Sequence, residues 1–185
     1  MKQIIKTLEL PEGKFETSVD VFDENDREML ASIYKNWLHL SKLLKAIHGR
    51  GINLPEVLSE SIFCMATGAV RIINSIPGAN CSFDVYDLDR SKRIQIKACS
   101  VIPDLTSFGP DSVWDELYFL DFYRQGKWDG TIDFYLIPNE KIYNYPVNAN
   151  QTFRQQQKQR RRPRFSIYTG IIEQDNLIPS RTFRL

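Results

Sequence analysis

What this sequence lacks narrows its class first. Across 185 residues no apolar run reaches the 18 or more that a membrane-crossing helix needs. Met1-Lys2-Gln3-Ile4 does not open a signal peptide. Cysteine is scarce: Cys64, Cys81 and Cys99 show no CxxC spacing and leave an odd one over. That argues against a zinc site or a disulfide framework and for buried thiols in a reducing cytoplasm. The only histidines, His39 and His48, fall in a segment predicted to be helical and make no convincing catalytic pair with a cysteine or serine. No internal repeat, linker or low-complexity tract marks a boundary, so one domain is expected. Apolar content of 42% and charged content of 25% belong to an ordinary globular chain.

Net charge is nearly absent too, at +1, but this balance hides an asymmetry. Residues 141–172 contain no acid, while Lys141, Arg154, Lys158, Arg160, Arg161, Arg162 and Arg164 are all basic. Within this stretch arginine and glutamine interleave: Arg154, Gln155, Gln156, Lys158, Gln159, then Arg160 to Arg162 and Arg164. Arginine bridges phosphates and reads guanine, and glutamine reads adenine, so the segment is expected to contact DNA. The apolar run from Phe165 to Ile172 reads as a strand that needs burial, which makes the basic run internal and pinned at both ends. A solvated basic face is the alternative.

The richest local pattern lies between residues 82 and 98. Ser82 to Asp87 and Arg93 to Ala98 each alternate apolar and polar residues, predicting two strands joined by a short polar turn. With Asp89 and Arg90 in the turn, Asp84 stands opposite Gln95. Gln95 and Lys97 share one face, while Ile94, Ile96 and Ala98 take the other, with Phe83 and Val85 expected to join them. Asp87, of opposite parity to Asp84, is expected at the turn. An acid, an amide oxygen and a lysine so converge, a place to hold a divalent ion. Mg²⁺ prefers hard oxygen ligands, and a neighbouring ammonium can orient water or neutralise phosphate charge. A cross-strand ion pair on a solvated hairpin would use the same residues.

Asp84 followed by Gln95-Ile96-Lys97 resembles the core of the PD-(D/E)XK nuclease superfamily, in its QXK form. Gly78-Ala79-Asn80 ahead of the strand and Ala98-Cys99-Ser100 after the lysine suit the resemblance. Phe83 stands where the motif carries proline, and Gln95 replaces the second carboxylate, so a compensating acid is expected from elsewhere. The superfamily places a helix before the motif, often with a glutamate that completes the metal site. Asn53-Leu54-Pro55-Glu56 reads as a capped helix start, and the helix is predicted to run to about Asn74. Leu58, Ile62, Met65, Ala69 and Ile72 form its stripe, and Glu60 beside that stripe is the chosen acid, with Glu56 the alternative.

Residues 114–123 and 130–138 read as two further strands, with Gln125-Gly126-Lys127 turning between them. Ahead of all this, residues 2–10 alternate weakly and 15–22 suggest a short strand. Asp23 to Ile47 then forms an amphipathic helix with Leu30, Ile33, Trp37, Leu40, Leu44 and Ile47 on one face, for core packing or a subunit interface.

The resemblance therefore implies an α/β (α+β) fold: a mixed sheet sandwiched by helices, with a core at about 53–140 and the DNA-contacting segment at about 141–165. It implies a Mg²⁺-dependent endodeoxyribonuclease like small type II restriction endonucleases, with Mn²⁺ able to substitute, cutting double-stranded DNA at a short site and leaving 5′-phosphates. Asp84, Gln95 and Glu60 would hold the metal and Lys97 would orient water. A homodimer, a partner DNA methyltransferase and a prokaryotic cytoplasm are implied as well. A repair or junction-resolving nuclease, or a non-catalytic nucleic-acid-binding protein, remain the alternatives.

Overall fold

The computed structural model describes residues 1–185. In chain order the strands are β1 (Lys2–Leu10), β2 (Gly13–Val21), β3 (Val70–Ile72), β4 (Val85–Asp87), β5 (Lys92–Cys99), β6 (Thr106–Ser107), β7 (Glu116–Asp121), β8 (Thr131–Ile137), β9 (Pro146–Asn148), β10 (Gln151–Thr152), β11 (Arg164–Phe165) and β12 (Arg181–Arg184). The helices are α1 (Arg27–Ala46), α2 (Glu56–Thr67), α3 (Asn139–Tyr143) and α4 (Phe153–Lys158). Eight strands form one sheet in the order β1-β2-β3-β4-β5-β7-β8-β12. β5 and β7 run parallel, and every other pairing in the sheet is antiparallel.

Alternation along the central strands puts helices on both faces. Ile94, Ile96, Leu120, Ile132 and Phe134 pack with Leu30, Trp37, Leu58, Ile62 and Phe63 of α1 and α2. Leu117, Phe119, Tyr135 and Ile137 point the other way, against Phe108, Ile142, Phe153, Phe165 and Ile171. The expected mixed sheet between helices is what the chain forms. It extends beyond the expected core, however, because the β1–β2 hairpin and β12 build its two edges.

Several boundaries differ from expectation, each for a local reason. The helix predicted from Asn53 to Asn74 is only α2: Pro55 caps it without a side-chain bond, and Gly68 ends it in a left-handed turn at φ 81°. Ala69 and Ile72 therefore leave the helical stripe, and residues 70–72 become a sheet strand. Phe83 precedes the paired part of β4, so strand alternation does not reach it. It packs with Leu8, Val19, Val70 and Tyr86 rather than with Val85 and Ile94. The apolar run after the basic segment is not a strand beyond β11; residues 168–172 wind into a wide helical turn.

Candidate active site

The hairpin register is the predicted one. Val85 pairs with Ile94 and Asp87 with Lys92, which places Asp84 across from Gln95 just beyond the ladder. Asp87 caps the turn: its carboxylate accepts from the Asp89 and Arg90 backbone N–H groups and from Arg90 Nε at 2.7 Å. Asp84 takes a different environment. Its Oδ2 accepts from the Ile96 backbone N–H at 2.7 Å and from the buried Gln95 amide, and neither bond uses Oδ1.

Asp84, Lys97, Glu60, Glu56, Ser59 and Asn53 line one cleft of about 470 Å³, whose far wall is Asp104 to Ser107 with Arg164. Strand β5 supplies the lysine and α2 the glutamates, so the expected convergence of helix and hairpin is present. Burial pushes the Asp84 carboxyl up to about 7, against the opposing pull of the Lys97 ammonium. Glu60 is also raised by burial, restrained by Arg71. Arg71 on β3 donates Nε to Glu60 Oε2 at 2.6 Å and Nη1 to Asp20 at 3.3 Å. Lys97 Nζ lies 5.3 Å from the centre of the Phe108 ring, on the sheet face away from Ile94 and Ile96.

Two carboxylates pushed toward neutrality in one cleft suit a divalent cation, which would favour their charged forms. No three acid, histidine or cysteine side chains gather at ligating distance anywhere in the chain. The pair offers two hard oxygen ligands, a set that a divalent ion completes with water or phosphate oxygens. Gln95 is spent differently from expectation. Its amide nitrogen faces Asp84, so in this arrangement it holds the acid instead of offering an oxygen. Glu56 is also freed from the expected cap, since the helix begins at that residue with no side-chain capping bond.

The basic segment forms part of the same cleft. β11 pairs with β6, so Arg164 reaches the far wall. Asp104 clasps the chain beyond it, accepting from Ser166 Oγ and from the Ile167 and Tyr168 backbone N–H groups at 3.0 Å each. Arg154, Lys158, Arg160, Arg161 and Arg162 are exposed. The segment is less unopposed than its sequence implies: Lys141 pairs with Asp175 at 3.1 Å, and Arg160 lies 3.8 Å from Asp111. The glutamines are engaged within the chain. Gln155 caps α4 with Thr152, Gln159 accepts from Gln151 at 2.9 Å, and Gln156 is buried against Gln151. Burial removes Gln156 from any role at the surface.

Sequence reasoning missed Arg71 and Asp104. Arg71 was hidden inside the over-extended helix. Asp104 follows a proline in an aperiodic stretch, where nothing in the sequence announces a buried carboxylate.

The Bsp6I restriction endonuclease family matches residues 22–174, a span holding Glu60, Asp84, Gln95, Lys97 and the whole basic run. The chain is also 36% identical over 160 residues to the type II restriction enzyme Bsp6I of Bacillus sp. (strain RFL6), covering 85% of this chain and 87% of that one. The chain belongs to the Bsp6I restriction endonuclease family. This bears out the expectation of a small type II restriction endonuclease and decides among the nuclease and binding readings. The match leaves out β1, β2 and β12, so the sheet edges lie outside the span that the Bsp6I family shares. No solved structure matches the chain.

Proposed function

We propose that this Bsp6I-family chain is a Mg²⁺-dependent endonuclease that hydrolyses double-stranded DNA at a short specific site and leaves 5′-phosphates. The observation that carries the reading is the meeting of Asp84, Glu60 and Lys97 in one cleft whose wall bears Arg164. Asp84 and Glu60 would hold the ion. When bound, the ion neutralises charge on the scissile phosphate and acidifies its water. Gln95 and the Ile96 N–H hold the Asp84 carboxylate in place, and Arg71 holds Glu60. The Lys97 ammonium orients the attacking water and balances charge at the phosphate. Mn²⁺, another oxygen-seeking ion, would serve in place of Mg²⁺.

Arg154, Lys158, Arg160, Arg161, Arg162 and Arg164 would follow the DNA backbone, with exposed Gln155 and Gln159 able to exchange their internal partners for base edges. The nuclease domain would span residues 1–185 and act as a homodimer, since two strands of a two-fold site need two clefts. Its setting would be a bacterial cytoplasm, beside a methyltransferase that protects host DNA. No helix is long and apolar enough to cross a membrane.

The decisive experiment incubates purified protein with plasmid and Mg²⁺. Discrete fragments that vanish with a chelator are expected. Intact plasmid across a range of DNA sequences and divalent ions would sink the reading.

A further inference from the structure

The apolar face of α1 is too wide for the core to cover. Leu30, Tyr34, Trp37 and Ser41 are its buried positions, turned toward the core. One residue earlier in each turn lies a second stripe that the core leaves largely exposed. Met29 is 45% exposed, Ile33 41%, Leu40 46%, Leu43 52% and Ile47 73%. Isolated exposed apolar residues are ordinary. These are not isolated: with Asn36 they follow one another at alternating steps of four and three residues, the heptad spacing of a helix–helix seam. The helix face thus divides into two seams, one buried and one bare. This also corrects the expectation that Ile33, Leu40 and Ile47 share the core face.

We propose that this bare stripe is a self-association surface, where α1 of one copy packs on α1 of a second. Four features select a second copy over other occupants. A heptad seam is matched in shape and period by another heptad seam, and a contact between identical stripes closes with two-fold symmetry. The stripe carries no charge, and the positions flanking it on the solvent side are Ser32, His39 and Ala46, so two copies meet without a like-charge row. Asn36 is the single polar member, the kind of residue that sets register within a helix pair at some cost in strength. Lastly, each chain holds one candidate cleft, whereas a double-strand break needs two. That last point alone rests on the endonuclease reading.

Sedimentation or light scattering of the full-length protein at micromolar concentration tests the surface without DNA. Wild type should have the mass of a dimer. Leu40→Glu should weaken association by roughly a hundredfold and yield folded monomer, because the side chain is exposed and the helix tolerates glutamate. Asn36→Leu should tighten the dimer instead. A monomeric wild type, or a dimer unmoved by both substitutions, overturns the proposal. Plasmid cleavage keeps the two readings apart. If masses shift as expected but no variant cuts DNA, the endonuclease reading fails and the surface stands. If Leu40→Glu cuts while remaining a dimer, the reverse holds.

Discussion

The Ile96 backbone N–H donates to Asp84 Oδ2 at 2.7 Å, so the acid is fixed by the strand whose next residue is Lys97. Acid and lysine are thereby held to one another through a single residue of β5 instead of by a flexible ion pair. Their spacing should survive substitutions that leave the ladder intact.

Asp84→Ala or Lys97→Ala should lower cleavage by about a thousandfold or more, on the order of 4 kcal/mol of barrier. Neither should unfold the protein, and DNA affinity should largely persist. Asp87→Ala, at the turn, should stay within about tenfold of wild type. Single-turnover plasmid assays with matched filter binding read both. Full activity in Lys97→Ala would remove the lysine from the site.

The raised Asp84 carboxyl gives a pH dependence whose sign is fixed. Its proton is held more tightly in the folded chain, near 7, than in the unfolded one, near the ordinary 3.8. In chelator, that contribution to stability is complete below about pH 4 and is lost as pH rises through about 7. Asp84→Asn should therefore stabilise the metal-free protein at pH 8 by about 1–3 kcal/mol, allowing for cleft water. At pH 4 the two should melt together. Thermal melts across pH decide it, and equal melting at both pH values would refute the shift.

Arg71 restrains Glu60, so its loss should let the glutamate carboxyl rise further. In Arg71→Met the Mg²⁺ concentration for half-maximal cutting should increase most at low pH, where Glu60 is protonated. Breaking the ion pair should also cost about 1–3 kcal/mol in urea melts. A uniform loss of activity at every pH, with Mg²⁺ dependence unchanged, would reduce Arg71 to a structural role.

Replacing Arg160, Arg161 and Arg162 together by alanine should flatten the plot of log affinity against log salt by about one to three units. Arg160 is expected to contribute least, since Asp111 already lies near it. Gln155→Ala should lose more on cognate than on random DNA if the glutamine leaves the α4 cap for a base edge, whereas equal weakening of both would confine it to the cap. A base contact should cost about 1–3 kcal/mol on cognate DNA.

Much of the site was legible because strand alternation is a strong local signal. It fixed the hairpin register, the face of Lys97 and the turn role of Asp87. It failed at Phe83, where pairing had not begun, and at residues 165–172, where an apolar run satisfied burial as a wide turn. The helix stop was misread at Gly68, since apolar spacing continues into β3 and masks the left-handed turn. Asp104 acts through partners 62 to 64 positions away, which no local window contains, while Arg71 lies 11 residues from Glu60 and was masked by the misread helix stop at Gly68.

The Asp104 clasp also bears on how the protein is made. It joins residues 62 positions apart, and the chain between them includes β7, β8, α3 and α4. The Asp84–Lys97 strand pair can assemble early in synthesis, but the wall bearing Arg164 waits until Ser166 has emerged from the ribosome. A nascent or truncated chain would thus carry the acid and the lysine without the completed cleft wall, so the site is finished only when the chain is nearly complete.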